Sequence, residues 1–141
     1  MKRFFIIDTN VVVAGLLTSH TDSPVARILD GMLNAAFPFV LSEPLLAEYR
    51  SVLLRPHLRQ LHRLTETEVD TLLLEIARHG IVLDAKPATQ RAPDPGDQFV
   101  WDLLATRDDL QLVTGDKLLL QDLAMQPRTL TPSTCVALLW H

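Results

Sequence analysis

Short unbroken apolar runs alternate along this chain with longer segments whose apolar residues recur at helical spacing. The runs at 4–7, 37–41 and 81–83 show no alternation between apolar and polar positions, and the run at 110–113 is interrupted only by Gln111. This pattern is typical of parallel strands covered on both faces. The segments between them carry apolar residues three or four positions apart, which favours amphipathic helices. We therefore predict helices at about 11–17, 24–34, 42–53, 65–79, 97–107, 117–124 and from 132 onward, with a fifth strand at 128–130.

Local sequence signals mark several helix ends. Ser23 precedes Pro24 and is predicted to cap the second helix at its N-terminus. Thr65 and Glu68 form a capping-box pattern at the start of a later helix, and Gly80 is predicted to end that helix as a C′ residue. Because strands and helices alternate throughout, the sequence predicts an α/β fold with a central parallel sheet of about five strands and helices on both faces.

The properties of the whole chain favour one ordinary domain. A chain of 141 residues that is 48% hydrophobic is predicted to form a single globular domain over 1–141. No apolar run reaches membrane-spanning length, and Asp8 and Asn10 interrupt the N-terminal run, so we expect neither membrane contact nor a signal peptide. Cys135 is the only cysteine, which excludes an internal disulfide and suits a reducing compartment. We therefore expect a cytoplasmic protein.

The charge pattern combines an acidic total with one basic segment. The formal net charge of −4 argues against a protein that coats nucleic acid by charge alone. Between positions 50 and 64, however, the chain has no acidic residue and carries several basic ones, namely Arg50, Arg55, His57, Arg59, His62 and Arg63. This segment is either a phosphate-binding face or an ordinary solvated helix surface.

Five acidic residues follow the predicted strands or lie in segments near their carboxyl ends. Asp8 follows the first strand, and Asp116 follows the fourth. Asp94 and Asp97 lie in the loop that enters the helix before the fourth strand, while Glu48 lies in the helix that leaves the second strand. Because ligands of open α/β sheets bind beyond the carboxyl ends of the strands, we expect these carboxylates to meet at one edge of the sheet.

Carboxylates gathered at one edge indicate a divalent metal. Unpaired carboxylates repel one another at short range, and the flanking sequence offers few cations apart from Lys117. Oxygen ligands without a cluster of His or Cys suit Mg²⁺ or Mn²⁺. A pair of such ions can hydrolyse phosphodiesters, because one ion helps to generate hydroxide from water while the other stabilises the leaving oxygen.

The ordered set of motifs resembles that of the PIN-domain ribonucleases. The matching residues are Asp8-Thr9-Asn10-Val11-Val12, Glu48, Asp94-Pro95-Gly96-Asp97, Val113-Thr114-Gly115-Asp116-Lys117 with Leu119-Leu120, and the closing Leu130-Thr131-Pro132-Ser133. Each motif alone is weakly specific, whereas the ordered set with these spacings is strong and covers nearly the full length. The set is similar to that of the PIN-domain toxins of toxin–antitoxin pairs.

The resemblance implies a small α/β/α sandwich that acts as a metal-dependent endoribonuclease on RNA. It implies that Mg²⁺ or Mn²⁺ binding and catalysis depend on an acidic quartet with nearby supporting residues: Asp8, Glu48, Asp97 and Asp116, with Asn10 and Thr114 as hydrogen-bonding supports and Asp94 as a further acid of the same motif. It also implies an antitoxin protein as a partner and a homodimer. On this interpretation, Arg50, Arg55, Arg59 and Arg63 bind RNA phosphates beside the quartet.

Simpler roles stay open for each acid. Asp8, Asp97 and Asp116 each stand where a helix N-cap belongs, and Glu48 fits an exposed helix acid equally well. Two other functions stay open for the chain. One is a PIN-like module that binds RNA or a partner without cutting, and the other is an aspartyl-phosphate phosphatase, although that chemistry wants a second Asp where this chain has Asn10.

Several other chemically distinctive residues are assigned structural roles. Asp102 stands five positions after Asp97, off its helical face, and is predicted to be a surface acid. Trp101, Trp140 and Cys135 are predicted to be core or interface residues. The five histidines are scattered along the chain, and none is expected to bind metal.

Overall fold

The computed structural model describes residues 3–140 of the chain. Within this range the strands are β1 (Phe4–Ile7), β2 (Val40–Leu41), β3 (Ile81–Val82), β4 (Leu110–Val113) and β5 (Thr129–Leu130). The helices are α1 (Thr9–Leu17), α2 (Pro24–Leu33), α3 (Glu43–Leu53), α4 (Pro56–His62), α5 (Glu66–His79), α6 (Gln98–Leu104), α7 (Lys117–Gln121) and α8 (Pro132–Leu139). None of these helices is both long and apolar enough to cross a membrane.

The paired strands all run parallel. β1 pairs with β4, and β4 pairs with β5, while β2 and β3 form a second pair. An isolated parallel bridge between Phe5 and Phe39 joins β1 to the segment that enters β2. Across this bridge the strands follow the order β3-β2-β1-β4-β5. β1 therefore lies at the centre, and the residues that follow it lie beside the ends of its neighbours.

Helices cover both faces of the sheet. Consecutive strand side chains point to opposite faces of the sheet, and Ile6 and Ile7 are both fully buried. Both faces are therefore covered at this position. Trp101 is also fully buried, and Cys135 is a buried free thiol, as predicted for both. The architecture confirms the predicted α/β sandwich around a parallel sheet.

The predicted helix caps are present, with one difference in mechanism. Ser23 caps α2 with its side chain, and Thr65 and Glu68 make both hydrogen bonds of the capping box at the start of α5. Gly80 ends α5, as predicted, but as its C-cap with a φ of −85° and not in the left-handed conformation typical of a C′ glycine. A Cβ on Gly80 would lie 2.5 Å from Leu41 Cδ1, so a side chain at this position would require Leu41 to move.

α6 is shorter than the helix predicted over 97–107. A 3₁₀ turn at Pro95–Asp97 precedes it, and the helix ends at Leu104. The guanidinium of Arg128 donates to the carbonyl oxygens of Leu104 at 2.7 Å and of Leu110 at 3.1 Å. Because this arginine satisfies a carbonyl at the helix end, the chain can leave the helix and enter β4 without an unpaired buried oxygen.

Candidate functional site

Asp8 is the fixed centre of the candidate site. Its backbone N–H donates to Val113 O at 2.9 Å, which aligns the residue after β1 with the end of β4. Its side chain is buried and accepts three hydrogen bonds: from Thr9 N at 2.9 Å, from Asn10 Nδ2 at 3.1 Å and from Thr114 Oγ1 at 2.7 Å. The first of these bonds caps α1, as the simpler interpretation predicted, but the other two come from side chains. Capping alone therefore does not account for the surroundings of Asp8.

Asn10 and Thr114 connect the segments that follow β1 and β4. Asn10 Oδ1 accepts from Gly115 N at 3.0 Å, while its Nδ2 also reaches Thr114 Oγ1 at 3.3 Å. The Thr114 hydroxyl accepts from Asp116 N at 3.0 Å and donates to Asp8. These two side chains thus orient the carboxylate of Asp8 directly and hold the backbone at Gly115 and Asp116.

Asp116 has a structural role that the simpler interpretation predicted. Its Oδ1 accepts from Leu118 N at 2.9 Å and caps α7. The side chain is half-buried, and its negative charge contributes to the raised pKa of Asp8. Asp116 therefore caps a helix and also forms part of the charge environment of the site.

Asp97 does not fit the capping interpretation. It occupies the N-cap position of α6, yet its side chain makes no capping hydrogen bond. Asp94 instead caps the preceding 3₁₀ turn by accepting from Gly96 N at 2.9 Å. Helix capping therefore does not explain why this half-buried carboxylate lies at this edge of the sheet.

The pKa of Asp97 shows that the acids form one electrostatic group. Burial raises it most, and the negative charges of Asp8, Asp94, Asp116 and Glu48 add to this effect, bringing the pKa of Asp97 to about 6. Burial is also the largest cause of the raised pKa of Asp8, although its hydrogen bonds partly oppose the shift. Four separate segments therefore act on one carboxyl group, as the positions of the acids in the sequence predicted.

Glu48 reaches the site from α3. Ser42 caps this helix by accepting from Leu45 N at 3.2 Å. The next residue after Glu48, the fully buried Tyr49, donates its hydroxyl to the carbonyl oxygen of Ile7. This bond joins α3 to the end of β1, directly before Asp8. Glu48 is half-buried, so the interpretation of a fully exposed helix acid does not hold.

Asp8, Glu48 and Asp97 line one open cavity of about 430 Å³. None of the four acids of the predicted quartet makes an ion pair within the described part of the chain. The side chains are not drawn together into a finished ligand shell, however. Residues 3–140 contain no group of three or more His, Cys, Asp or Glu that could hold a metal ion as they stand. The donor chemistry fits a hard divalent cation, while the ligand set is open.

One side of this cavity is apolar and was not predicted from the sequence. It is formed by partly exposed side chains of α1, α3 and α6, namely Val13, Ala14, Leu17, Val52 and Phe99. A signal for it exists in the sequence, because 11–17 is apolar at nearly every position and a helix buries one side only. In α1 only Thr9, Val11 and Val12 are buried, so part of the apolar surface faces the cavity.

Acids from another helix lie beside one residue of the basic segment. Arg50 pairs with Asp70 at 2.8 Å and with Glu66 at 2.7 Å, because α5 packs beside α3. Arg55, Arg59 and Arg63 are exposed, in keeping with either interpretation of the segment. The segment itself contains no acid, as the sequence shows, but acids 16 and 20 positions further along the chain reach Arg50.

Asp102 is a structural residue that sequence reasoning missed. It is half-buried, and its Oδ1 accepts from Ala88 N at 2.8 Å and from Gln98 Nε2 at 3.0 Å. Gln98 in turn accepts from Ala92 N at 2.8 Å. Asp102 thus holds the long loop that carries Asp94 and Asp97. The four-residue spacing between Gln98 and Asp102 on one helix face was the available signal.

Comparison with known families adds an independent result. Residues 5–118 match the family model described as a PIN domain. The matched segment covers most of the chain and contains Asp8, Glu48, Asp97 and Asp116. No curated protein sequence matches the chain.

Proposed function

Because the chain belongs to the PIN-domain family, whose fold is of the nuclease type, we propose that it is a metal-dependent endoribonuclease. The observation that supports this best is the convergence of Asp8, Glu48 and Asp97 on one cavity. The mutual effect of these charges on the pKa of Asp97 adds to this support. The negative charges of these carboxylates in the cavity favour binding of a cation, and a bound cation would in turn attract phosphate.

Mg²⁺ or Mn²⁺ is the cofactor that suits this donor set. We assign Asp8, Glu48, Asp97 and Asp116 to its binding, with Asp94 as an additional acid. When bound, the ion would supply a water of lowered pKa and would stabilise negative charge on a phosphodiester oxygen. Because the ligand set is open within residues 3–140, binding has to draw these carboxylates closer together.

The residues around the acids position carboxylates and hold protons. Thr114 and Asn10 both donate to Asp8 Oδ2 and so fix the direction of that carboxylate. Because the pKa of Asp97 is raised to about 6, a cation has to compete with a proton for this carboxyl group at acidic pH. The chain therefore combines one rigid ligand with one whose cation binding depends on pH.

RNA binding is assigned to the exposed part of the basic segment. We propose that Arg55, Arg59 and Arg63 contact phosphates, which gives salt-sensitive binding with little sequence dependence. Arg50 was part of the same prediction, but Glu66 and Asp70 already balance its charge. Its main role in this proposal is to fasten α3 to α5, and hence to keep Glu48 in place.

The biological setting is also part of the proposal. The motifs resemble those of PIN-domain toxins, so we propose that the protein is the toxin of a toxin–antitoxin pair, with an antitoxin protein as its partner. A homodimer and a cytoplasmic location belong to the same proposal. The single buried cysteine is compatible with a reducing compartment.

One alternative keeps a specific observation in its favour. A catalytically silent PIN-like module would need no complete ligand group, and residues 3–140 present none. The phosphatase alternative is weaker, because Asp8 is buried and both of its carboxylate oxygens already accept hydrogen bonds. Asn10 also stands at the position where an aspartyl-phosphate phosphatase requires a second acid.

Cleavage of RNA by the purified protein tests the proposal. We expect cleavage with Mg²⁺ or Mn²⁺, none with a chelator, and none by the Asp8→Asn variant. Asp22→Asn is the matched control, since Asp22 is exposed and does not line the cavity. Metal-dependent binding of RNA without cleavage would favour the silent module, and cleavage that persists in Asp8→Asn would contradict the assignment.

A further inference from the structure

The cavity that holds the acids is larger than a metal site requires. A divalent ion with a few waters, at about 30 Å³ per water, fills only part of about 430 Å³. The volume lies in the range of sites that bind small organic groups, about 300–1,000 Å³. The remaining space is large enough to hold a second part of the ligand.

The polar and apolar sides of this cavity are built from the same three elements. Glu48 and Val52 stand four positions apart on α3, so one turn of helix separates the acid from the apolar group. Asp97 and Phe99 stand two positions apart at the start of α6, and both line the cavity. Asp8 leads into α1, which supplies the remaining apolar residues. The acids and the apolar wall thus form two adjoining halves of one site.

We propose that the apolar half, Val13, Ala14, Leu17, Val52 and Phe99, receives one unpaired nucleobase of the RNA, stacked on the ring of Phe99. This inference rests on the proposed ribonuclease function. A nucleotide carries a charged phosphate next to a flat, largely apolar base, which matches a site with a cation-binding edge beside an apolar wall. Aromatic side chains commonly bind unpaired bases by stacking, whatever the base.

Selectivity for unpaired RNA follows from this arrangement. In a duplex the bases are already stacked on one another, and extruding one costs a few kcal/mol. The apolar half would remain empty beside a rigid duplex, whereas a single strand or a loop can fill it. Phe99 is therefore a specificity-determining residue that selects strands whose base next to the scissile phosphate is free.

Binding of a hydrolysis-resistant RNA tests the proposal without relying on activity. The probe is a fluorescent phosphorothioate single strand, titrated with the full-length protein in the presence of Mn²⁺. We expect Phe99→Leu, which keeps an apolar side chain but loses the ring, to raise Kd by about 5- to 100-fold. Phe99→Trp should restore binding, and Leu123→Ala should leave it unchanged because Leu123 is 86% exposed and lies outside the cavity.

Two further probes identify what Phe99 contacts. A strand with abasic positions should bind the wild type and Phe99→Leu with the same Kd, and a blunt duplex should bind both weakly. Equal Kd values of the two proteins for the intact strand would overturn the inference and would leave the wall to another occupant, such as an apolar side chain of a protein partner. In that case metal-dependent cleavage lost in Asp8→Asn would still stand. Failure of the wild type to bind or cut RNA would instead overturn the ribonuclease proposal itself.

Discussion

Thr114 donates its hydroxyl to Asp8 Oδ2 at 2.7 Å, across 106 positions of sequence. The same hydroxyl accepts from the backbone N–H of Asp116 at 3.0 Å. One oxygen atom of a fully buried threonine therefore orients the first acid of the site and fixes the backbone of the last. A valine in this position would have a similar shape and neither hydrogen bond.

Thr114→Val is accordingly expected to weaken the site and the fold together. Leaving Asp8 and the N–H of Asp116 without this partner should lower the free energy of unfolding by about 1–3 kcal/mol, measured by urea denaturation. The pKa of Asp8 should rise further, because the Thr114 bond is the largest of the effects that lower it. Thr114→Ser keeps the hydroxyl and serves as the control, and similar losses in both variants would assign the effect to packing.

The raised pKa of Asp97 predicts a particular pH dependence. Its value is about 6 in the folded protein against 3.8 for an ordinary Asp, so the folded state binds more protons between these values. The free energy of unfolding of the metal-free protein should therefore fall as the pH rises from about 4 to 6, and Asp8 contributes in the same direction. Denaturation as a function of pH measures this fall, which should be smaller in Asp97→Asn. A free energy of unfolding that rises from about pH 4 to 6 in the wild type, but not in Asp97→Asn, would contradict the charge arrangement.

Removing the negative charge of Asp97, which the neighbouring acids repel, is expected to stabilise the metal-free protein. Asp97→Asn removes a charge without removing a cap, since the side chain makes no capping bond, and should raise Tm by about 2–4 °C. Added Mn²⁺ should raise the Tm of the wild type by mass action and that of the variant less. Asp22→Asn is again the control. Equal shifts with Mn²⁺ in the wild type and in Asp97→Asn would remove Asp97 from the metal site.

The arginines are expected to separate into two roles. The double variant Arg55→Ala and Arg59→Ala should weaken RNA binding and reduce the slope of log K against log salt concentration by about 1.4 for a single strand, because two phosphate contacts are lost. Arg50→Ala should mainly lower stability, since it breaks the pairs with Glu66 and Asp70. Arg78→Ala, whose partner Glu75 lies on the same helix, should change neither slope nor affinity. A salt slope unchanged in the double variant would refute the RNA-binding face.

The sequence predicted those features that depend on neighbouring residues. β1 and β4 have the predicted bounds because each is a mainly apolar run that ends at a polar group, with Gln111 as the one polar residue inside β4. The caps at Ser23 and Thr65 depend on residues three positions away. The meeting of the acids followed from one topological rule about parallel strands. These inferences needed no knowledge of how the helices pack.

The structural features that were not predicted depend on contacts between distant segments of the chain. Arg50 pairs with acids of α5 because the two helices are neighbours, and the last carbonyl of α6 accepts a hydrogen bond from Arg128, which lies 24 positions further along the chain. Gly80 matters through its distance to Leu41, which no local pattern reveals. The apolar wall that includes Phe99 likewise exists only once three elements have packed around the cavity.

The isolated bridge between Phe5 and Phe39 has a consequence for the whole molecule. Asp8 and Asp116 follow strands on one side of this junction, while Glu48 belongs to the helix that follows the strand on the other side. A ligand held by carboxylates from both sides would add a further link across this junction, beside the bond from Tyr49 to Ile7 and the shared hydrophobic core. Emptying the site would remove that link and leave the core and the Tyr49 bond to join the two sides.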